Sequence, residues 1–455
     1  MPIYLYNTLT AKKEEFIPLN PPEVTFYTCG ITSYDYCHVG HARVYVVFDC
    51  IRRHLAYRGY RVRYVQNFTD IDDKIIKRAA ELGESCESLT TRFIAACLED
   101  LHALNILPAE AYPKATAYIV EMQALIGTLI QKGAAYVSEG DVYFSVSAFP
   151  EYGKLSKKIL EDLISGSRVD VSDIKRNQLD FVLWKSAKPD EPFWESPWGK
   201  GRPGWHIECS AMVLASFGQT IDIHAGGQDL IFPHHENEIC QSECATGKPF
   251  ATYWLHNGFV TIRDEKMAKS AGNFFTIRDI LQKYSGEVIR FFLLKTHYRS
   301  PLGFSLEGLD EAQQALSRLH HTQRLAVDWP DPAAHQAAEC AVFRTRFEEA
   351  MDDDFNTAGA IGVLFDLNKY IHTHHINAGL LLTELGRLLG LFGEVSTADV
   401  VPEAALSMME ARKMAKQNRD YAEADRLRER VLSEFGIVIE DVKDSYRWYI
   451  KRNFL

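Results

Sequence analysis

Apolar positions follow two alternating periods in roughly the first 300 residues and a single period afterwards. An apolar run at 24–28 reads as a strand, and a helical spacing over 42–57 follows it and stops at Gly59. This strand–helix rhythm, which fills 22–83, restarts near Asp222, Ile223 and His224 with a Gly226-Gly227 turn, and again over 254–261. Such alternation predicts a parallel sheet with ligands at its carboxyl edge. The two halves are separated by an insertion at about 107–201, where 141–146 has strand character among several loop signals. After Pro301 the spacing becomes helical over 309–326, 337–351, 358–375 and 380–391, which predicts a bundle, with a small mixed domain from about Glu403 onward. The expected fold class is therefore α/β, divided as 1–106, 107–201, 202–300, 301–400 and 401–455.

Composition narrows the class. A chain of 455 residues is too long for one ordinary core, and its 46% apolar content supports globular folding. No stretch approaches the roughly 20 uninterrupted apolar residues of a membrane span. Met1-Pro2-Ile3-Tyr4 lacks a basic-then-apolar signal, so a cytoplasmic location without membrane contact is expected. Nine cysteines at scattered spacings point to reduced thiols and a metal site rather than a disulfide frame. There is neither an internal repeat nor a low-complexity tract.

Two short stretches carry candidate chemistry. His38-Val39-Gly40-His41 falls between the first strand and the start of its helix, where unpaired N–H groups and the helix dipole hold anions. Gly40 leaves room for a flat ring against the backbone, and His38 and His41 offer donors beside it. Lys266-Met267-Ala268-Lys269-Ser270 puts two ammonium groups on a loop of small residues, as point charges suited to triphosphate oxygens.

A third group has metal-ligand character. In Phe232-Pro233-His234-His235-Glu236-Asn237-Glu238, a helix opening at Pro233 and closing before Gly247 would put His234 and Glu238 on one face. Cys29 and Cys209 could add sulfur, giving a reasonable zinc set. Spacing alone does not select these four, because Cys240 and Cys244 form another pair on the same helix.

The His-Val-Gly-His and Lys-Met-Ala-Lys-Ser stretches resemble the two signatures of class I aminoacyl-tRNA synthetases, with Val39 and Ala268 departing from the consensus. Ala268 lacks a hydroxyl usual in the phosphate loop. The stretches 28–32 (Thr-Cys-Gly-Ile-Thr), 67–74 (Asn-Phe-Thr-Asp-Ile-Asp-Asp-Lys), 204–212 (Gly-Trp-His-Ile-Glu-Cys-Ser-Ala-Met) and 232–238 are similar to those of bacterial cysteinyl-tRNA synthetases. The likeness runs from the first residues to about Tyr449. It implies a Rossmann-type catalytic domain in two halves, 1–106 and 202–300, and a connective insertion at 107–201 that helps hold the tRNA acceptor end. It further implies a bundle at 301–400 on the stem and anticodon side and a small anticodon-binding domain at 401–455.

By the same resemblance, Cys29, Cys209, His234 and Glu238 hold one Zn²⁺ per chain in the amino-acid pocket. Cysteine and serine differ by one atom, and size selection gains only about 1–3 kcal/mol. Zinc prefers a thiolate to an alcohol and lowers a thiol's pKa, so it reads the element itself. Trp205, His206 and His224 are candidates to close the pocket, or else are core aromatic and satisfied polar residues; Thr69 and Asp229 complete the substrate-binding set.

The implied reaction has two steps. L-cysteine attacks the α-phosphate of ATP, accompanied by Mg²⁺, and the adenylate then passes to the 2′-hydroxyl of the terminal adenosine of tRNA(Cys). His38, Gly40 and His41 would contact ATP, while Lys266 and Lys269 would stabilise the departing pyrophosphate; positioning and charge neutralisation dominate such chemistry. No separate editing domain is evident, and a monomer is expected.

Net charge is −11, yet from residue 401 onward 11 Lys plus Arg face 10 Asp plus Glu. There Arg412, Lys413, Lys416 and Arg419 fall near one helical face, and Arg447, Lys451 and Arg452 flank Trp448 and Tyr449. Basic groups beside aromatics suit RNA. Two alternatives stand beside this function: a cysteine:amino-sugar ligase using the same adenylate, and a non-catalytic synthetase-like RNA-binding protein.

Overall fold

An antiparallel hairpin, β1 (Tyr4–Asn7) and β2 (Lys12–Glu15), precedes β3 (Glu23–Thr32), the central strand of the molecule. The helix α1 (Val39–Tyr57) leads to β4 (Arg61–Thr69), which pairs with β3 in parallel. Two helices follow, α2 (Asp73–Leu82) and α3 (Cys86–Ala103). The computed structural model describes residues 2–158, 175–262, 265–266, 275–325, 338–393, 403–442 and 445–450, with backbone alone at a few of them, including 265–266 and 445–450.

The insertion contains α4 (Ile119–Gln131) and an antiparallel sheet in the order β5 (Ala135–Ser138), β6 (Asp141–Phe144), β7 (Phe181–Ser186), β8 (Gly201–Pro203). The expected strand at 141–146 is cut short at Phe144, because Val146–Ala148 turns into a 3₁₀ segment. The second half-sheet comprises α5 (Trp205–Phe217), β9 (Ile221–Gly227), α6 (Glu236–Thr246) and β10 (Ala251–Asn257). Strand order is β10-β9-β3-β4, all parallel, so the two halves meet where β3 pairs with β9.

Period-2 alternation decides how β3 divides the core. Val24 and Phe26 feed the cluster containing α1, whereas Tyr27 and Cys29 feed the cluster shared with α5 and the insertion. Both faces are covered, as a parallel sheet requires.

A small sheet of β11 (Val260–Ile262), β12 (Glu265–Lys266) and β13 (Leu302–Gly303) flanks the carboxyl edge. Gly258 separates β10 from β11, so the single strand expected over 254–261 is two. Helices α7 (Ile277–Leu281) and α8 (Gly286–Leu294) lie between β12 and β13. The helical region then comprises α9 (Leu306–Leu325), α10 (Ala338–Asp352), α11 (Thr357–His374) and α12 (Gly379–Leu388). A last unit has α13 (Glu403–Gln417), α14 (Tyr421–Phe435) and the hairpin of β14 (Ile437–Val442) and β15 (Ser445–Ile450), with its own small core around Met409 and Val431. Among the described residues, no helix is long and apolar enough to cross a membrane.

Buried arginines fix α1 in place. Arg43 donates to the carbonyls of Gly258, Phe259 and Ser300, tying the start of α1 to the loops around β11 and β13. Arg290 on α8 reaches Asp49 Oδ2 at 2.5 Å and also donates to the carbonyls of Leu104 and Leu389, joining the sheet helices to the bundle.

Candidate functional site

His38 caps α1: its Nδ1 accepts from Gly40 N at 3.0 Å, while His41 Nδ1 accepts from His38 N at 3.3 Å. The two rings stack with centroids 3.7 Å apart. A Cβ at position 40 would come within 2.8 Å of His38, so a side chain there would displace the ring. The unpaired N–H groups expected at this helix start are instead engaged: Val39 N donates to Phe275 O, Gly40 N to the His38 ring, and His41 N and Ala42 N to His38 O, so the paired imidazoles rather than open backbone donors are what this edge offers a ligand.

Lys269, together with Met267, Ala268 and Ser270, lies outside the described residues, and of Lys266 only the backbone is described, in β12 opposite Thr261. The residues just after that segment are anchored beside the signature helix. Val39 N donates to Phe275 O at 3.1 Å, and Ile277 N donates to Cys37 O at 2.9 Å.

Cys29 lies where the β3–β4 register shifts, between Thr28 and Ile31, an irregularity that re-aims side chains. Gly30 permits this, because a Cβ there would lie 1.5 Å from Asn67 O. Cys209 comes from α5. The helix carrying the other two residues begins later than the sequence spacing predicts: Ile231–His235 is a wide π-type turn kinked at Phe232, and α6 starts at Glu236. His234 and Glu238 nevertheless meet, Nε2 to Oε1 at 2.9 Å.

Cys29 Sγ lies 3.8 Å from Cys209 Sγ and 3.6 Å from Glu238 Oε1. Four ligands about 2.0–2.3 Å from one tetrahedral ion would stand about 3.3–3.8 Å apart. The ligand atoms of Cys29, Cys209, His234 and Glu238 all lie within 4.8 Å of one another, and all four residues are buried. The arrangement also holds a set that sequence spacing does not distinguish, Cys29, His224, His235 and Glu238. His224 Nε2 is 3.5 Å and His235 Nε2 3.3 Å from Cys29 Sγ. The other candidate pair separates from both: Cys240 Sγ donates to Asn237 O at 3.2 Å, and Cys244 is only half-buried.

Electrostatics favour a cation here. Burial pushes the Cys29 thiol and the Glu238 carboxyl well above their ordinary ranges, and the hydrogen bond from Cys29 brings the Cys209 thiol down to about 7. Burial depresses the pKa values of His206, His224 and His235, keeping their rings neutral, the form in which imidazole donates to metal. Glu238 Oε2 is buried and accepts no hydrogen bond, although His224 Nε2 is 3.3 Å away. An orphaned carboxylate oxygen among two thiols and imidazoles fits a metal ion better than an ion-free polar core.

The remaining candidates frame this cluster. Trp205 stacks on His234 with centroids 4.1 Å apart, and His206 Nδ1 is 2.9 Å from His234 Nδ1. Thr69 Oγ1 donates to Glu208 Oε2 at 2.5 Å. Asp229 is exposed, in the 3₁₀ turn after β9 at the carboxyl edge, with its Oδ1 against Gly227. Sequence reasoning missed His235, Glu208 and His256; His256 Nε2 is 2.8 Å from His235 Nδ1. The only available signal was that His235 adjoins His234 and Glu208 adjoins Cys209.

The basic tail differs from expectation. Arg412 is 1% exposed, and its Nη2 donates to both carboxylate oxygens of Asp441 at 2.8 Å, while Lys416 Nζ lies 2.8 Å from the same residue's Oδ1. Both cations hold the hairpin to α13; burial withdraws Arg412 from any RNA-facing surface, whereas the Lys416 side chain stays 35% exposed. Lys413 and Arg419 are exposed, Arg447 is described as backbone in β15, and Lys451 and Arg452 lie outside the described residues.

Comparison with known proteins gives the family. Residues 15–314 match the family model for the class I (C) tRNA synthetase catalytic domain, and 346–393 match the DALR domain. The cysteine–tRNA ligase of Methylococcus capsulatus is 53% identical across 98% of this chain and 99% of its own length. That of Alkalilimnicola ehrlichii is 51% identical over the same shares. Among solved structures, Mycobacterium tuberculosis methionyl-tRNA synthetase in complex with methionyl-adenylate superposes with a TM-score of 0.60 at 17% identity, covering 80% of this chain and 90% of that one. The latter likeness concerns the fold, whereas the near-complete matches at about half identity settle kinship: the chain belongs to the cysteine–tRNA ligases, within the class I tRNA synthetases.

Proposed function

We propose that the protein activates L-cysteine with ATP and transfers it to tRNA(Cys), and that Cys29, Cys209, His234 and Glu238 hold the zinc ion that recognises the substrate thiol. The carrying observation is the buried two-thiol, imidazole and carboxylate cluster with its orphaned Glu238 oxygen, set at the carboxyl edge of the sheet that also presents His38 and His41. When bound, zinc supplies a soft Lewis acid that favours a thiolate over an alcohol.

This chain's own groups do the rest. Trp205 and His206 hold the His234 ring from two sides, which orients its Nε2 toward Glu238. His38, Gly40 and His41 receive ATP phosphates and ribose at the α1 N-terminus. Lys266 and Lys269, on a segment anchored beside that helix, neutralise the leaving pyrophosphate, with Mg²⁺ accompanying the nucleotide. Their charges act mainly as the α-phosphate–oxygen bond breaks, so they serve turnover more than ground-state binding. Asp229 and Thr69 complete the substrate side of the pocket.

In this reading the catalytic domain is formed by 1–106 and 202–300, the insertion at 107–201 guides the acceptor end, and the units at 301–400 and 401–455 reach toward the stem and anticodon. The protein acts as a cytoplasmic monomer. Charging assays with tRNA(Cys) and with a non-cognate tRNA test the reading. Cysteine-dependent charging of tRNA(Cys) alone is expected; pyrophosphate exchange without charging of any tRNA would refute it.

A further inference from the structure

We propose that Arg278 is a positioning residue for adenylate formation, bracing the approach to His38 against α3, an inference that rests on the reading above in which His38 and His41 receive ATP. Arg278 lies in the first turn of α7 and reaches across to α3. There its Nη2 donates to Ala96 O at 3.0 Å and to Glu99 Oε2 at 2.6 Å, and its Nε lies 3.1 Å from Asp100 Oδ1. The guanidinium carbon also stands 5.2 Å from the centre of the Tyr36 ring, which Phe93 of α3 meets edge-on at 5.1 Å. Tyr36, two residues before His38, is thus held between a cation and an aromatic edge.

Backbone contacts tie the same stretch to the residues beside Arg278. Ile277 N donates to Cys37 O, Val39 N donates to Phe275 O, and His38 pairs with Thr276 in an antiparallel bridge. Thr276 in turn caps α7: its Oγ1 accepts from Asp279 N, and Asp279 Oδ2 accepts from Thr276 N, both at 3.1 Å. The backbone partner of His38 therefore moves with the helix that carries Arg278. Arg278 fastens both sides of this short ladder to α3, one through its own backbone and the other through Tyr36. Asp100 is buried, and burial pushes its carboxyl up to about 6 while Arg278 opposes the rise, so the guanidinium is also the partner that this carboxyl requires. A planar fork that meets a carbonyl, two carboxylates and a ring face has a geometry that a point charge does not reproduce. Arg278 acts on the nucleotide only through Tyr36 and the 275–277 backbone, and displacement there would shift the stacked rings of His38 and His41 together.

The test measures single-turnover adenylate formation, cysteine affinity and zinc content in the wild type, Arg278→Ala, Arg278→Lys, Tyr36→Leu and the Arg278→Ala, Tyr36→Leu double variant. Arg278→Ala should slow the step about 10–100-fold, the scale expected when reacting groups are misplaced by about 1 Å, with cysteine affinity and zinc content unchanged. Arg278→Lys should lose less, because it keeps the charge beside Glu99 and Asp100 without the fork, and it carries the test if the Ala variant does not fold. The loss in the double variant should fall short of the product of the single losses, since both residues act through one contact. An undiminished rate in the folded Arg278 variants, an equal loss of cysteine affinity, or fully multiplicative losses would overturn the assignment. Absence of cysteine-dependent adenylate formation in the wild type would instead overturn the functional reading beneath it.

Discussion

The ring of Trp205 lies against that of His234 at a centroid separation of 4.1 Å and an interplanar angle of 21°, so a partly exposed indole forms one wall of a buried metal-type donor. His206 holds the same imidazole through its Nδ1, leaving Nε2 to face Glu238. Residues that orient a ligand ring in this way typically contribute 10–100-fold to metal affinity. Trp205→Ala is therefore expected to release zinc about 10–100-fold more readily in a chelator competition, with the fold intact by circular dichroism. Unchanged zinc affinity would separate Trp205 from the metal site.

Removing a ligand should have a larger effect. Cys209→Ser and His234→Ala are expected to lose both zinc and cysteine activation. Cys240→Ala should keep both, because Cys240 donates to its own helix backbone, away from the cluster. Elemental analysis of the purified variants checks this, and zinc loss in Cys240→Ala would displace the chosen four ligands.

Lys269→Ala should slow adenylate formation by about 10²–10³ while changing cysteine affinity little, as expected for a preorganised charge acting in the transition state. Rapid-quench measurement of a single turnover provides the readout. An unchanged rate would exclude a role for its ammonium in pyrophosphate departure.

The buried Arg290–Asp49 pair gives a stability prediction. Despite burial, three arginines, chiefly Arg290, hold the Asp49 carboxyl down to about 2. A folded-state pKa below the unfolded value of roughly 4 stabilises the fold above that pH, and the contribution fades as pH falls from about 4 toward 2. Arg290→Leu leaves the carboxylate buried without its main partner and should cost about 3–5 kcal/mol at neutral pH. Denaturant unfolding followed from pH 7 to pH 3 should show the penalty shrinking as Asp49 becomes protonated. A penalty independent of pH would contradict the ion-pair account.

The parts of this architecture legible in the sequence were those whose signal is local. Apolar spacing gives α1 to within a few residues of Val39–Tyr57, and the bundle helices likewise, because each buries a periodic face. Motif order likewise places His38 and His41 at a helix start. What local pattern cannot carry is which strands become neighbours, so His224 and His235 reaching the same Cys29 sulfur is visible only once β3 and β9 pair. Burial by long-range contact misleads in the same way in the tail. Arg412 and Lys416 share a helical face that reads as RNA-facing, but folding of the β14–β15 hairpin brings Asp441 onto that face.

Truncation at about residue 401 separates activation from charging. The shortened chain should retain cysteine-dependent pyrophosphate exchange, charge tRNA poorly, and show a shallower fall of tRNA affinity with salt than the intact chain. With Arg412 buried against Asp441, the lost salt dependence should trace to Lys413, Lys416, Arg419 and the terminal strand instead. Equal charging by both forms across a salt series would remove the tail from tRNA recognition.

The central claim is that a metal ion in the buried cluster lets this enzyme tell sulfur from oxygen. ATP–pyrophosphate exchange with cysteine and with serine, run on zinc-depleted protein and again after zinc is restored, tests it most directly. The account predicts strong exchange with cysteine only when zinc is present and negligible exchange with serine throughout. Full cysteine-specific exchange by protein shown to be free of metal would contradict it.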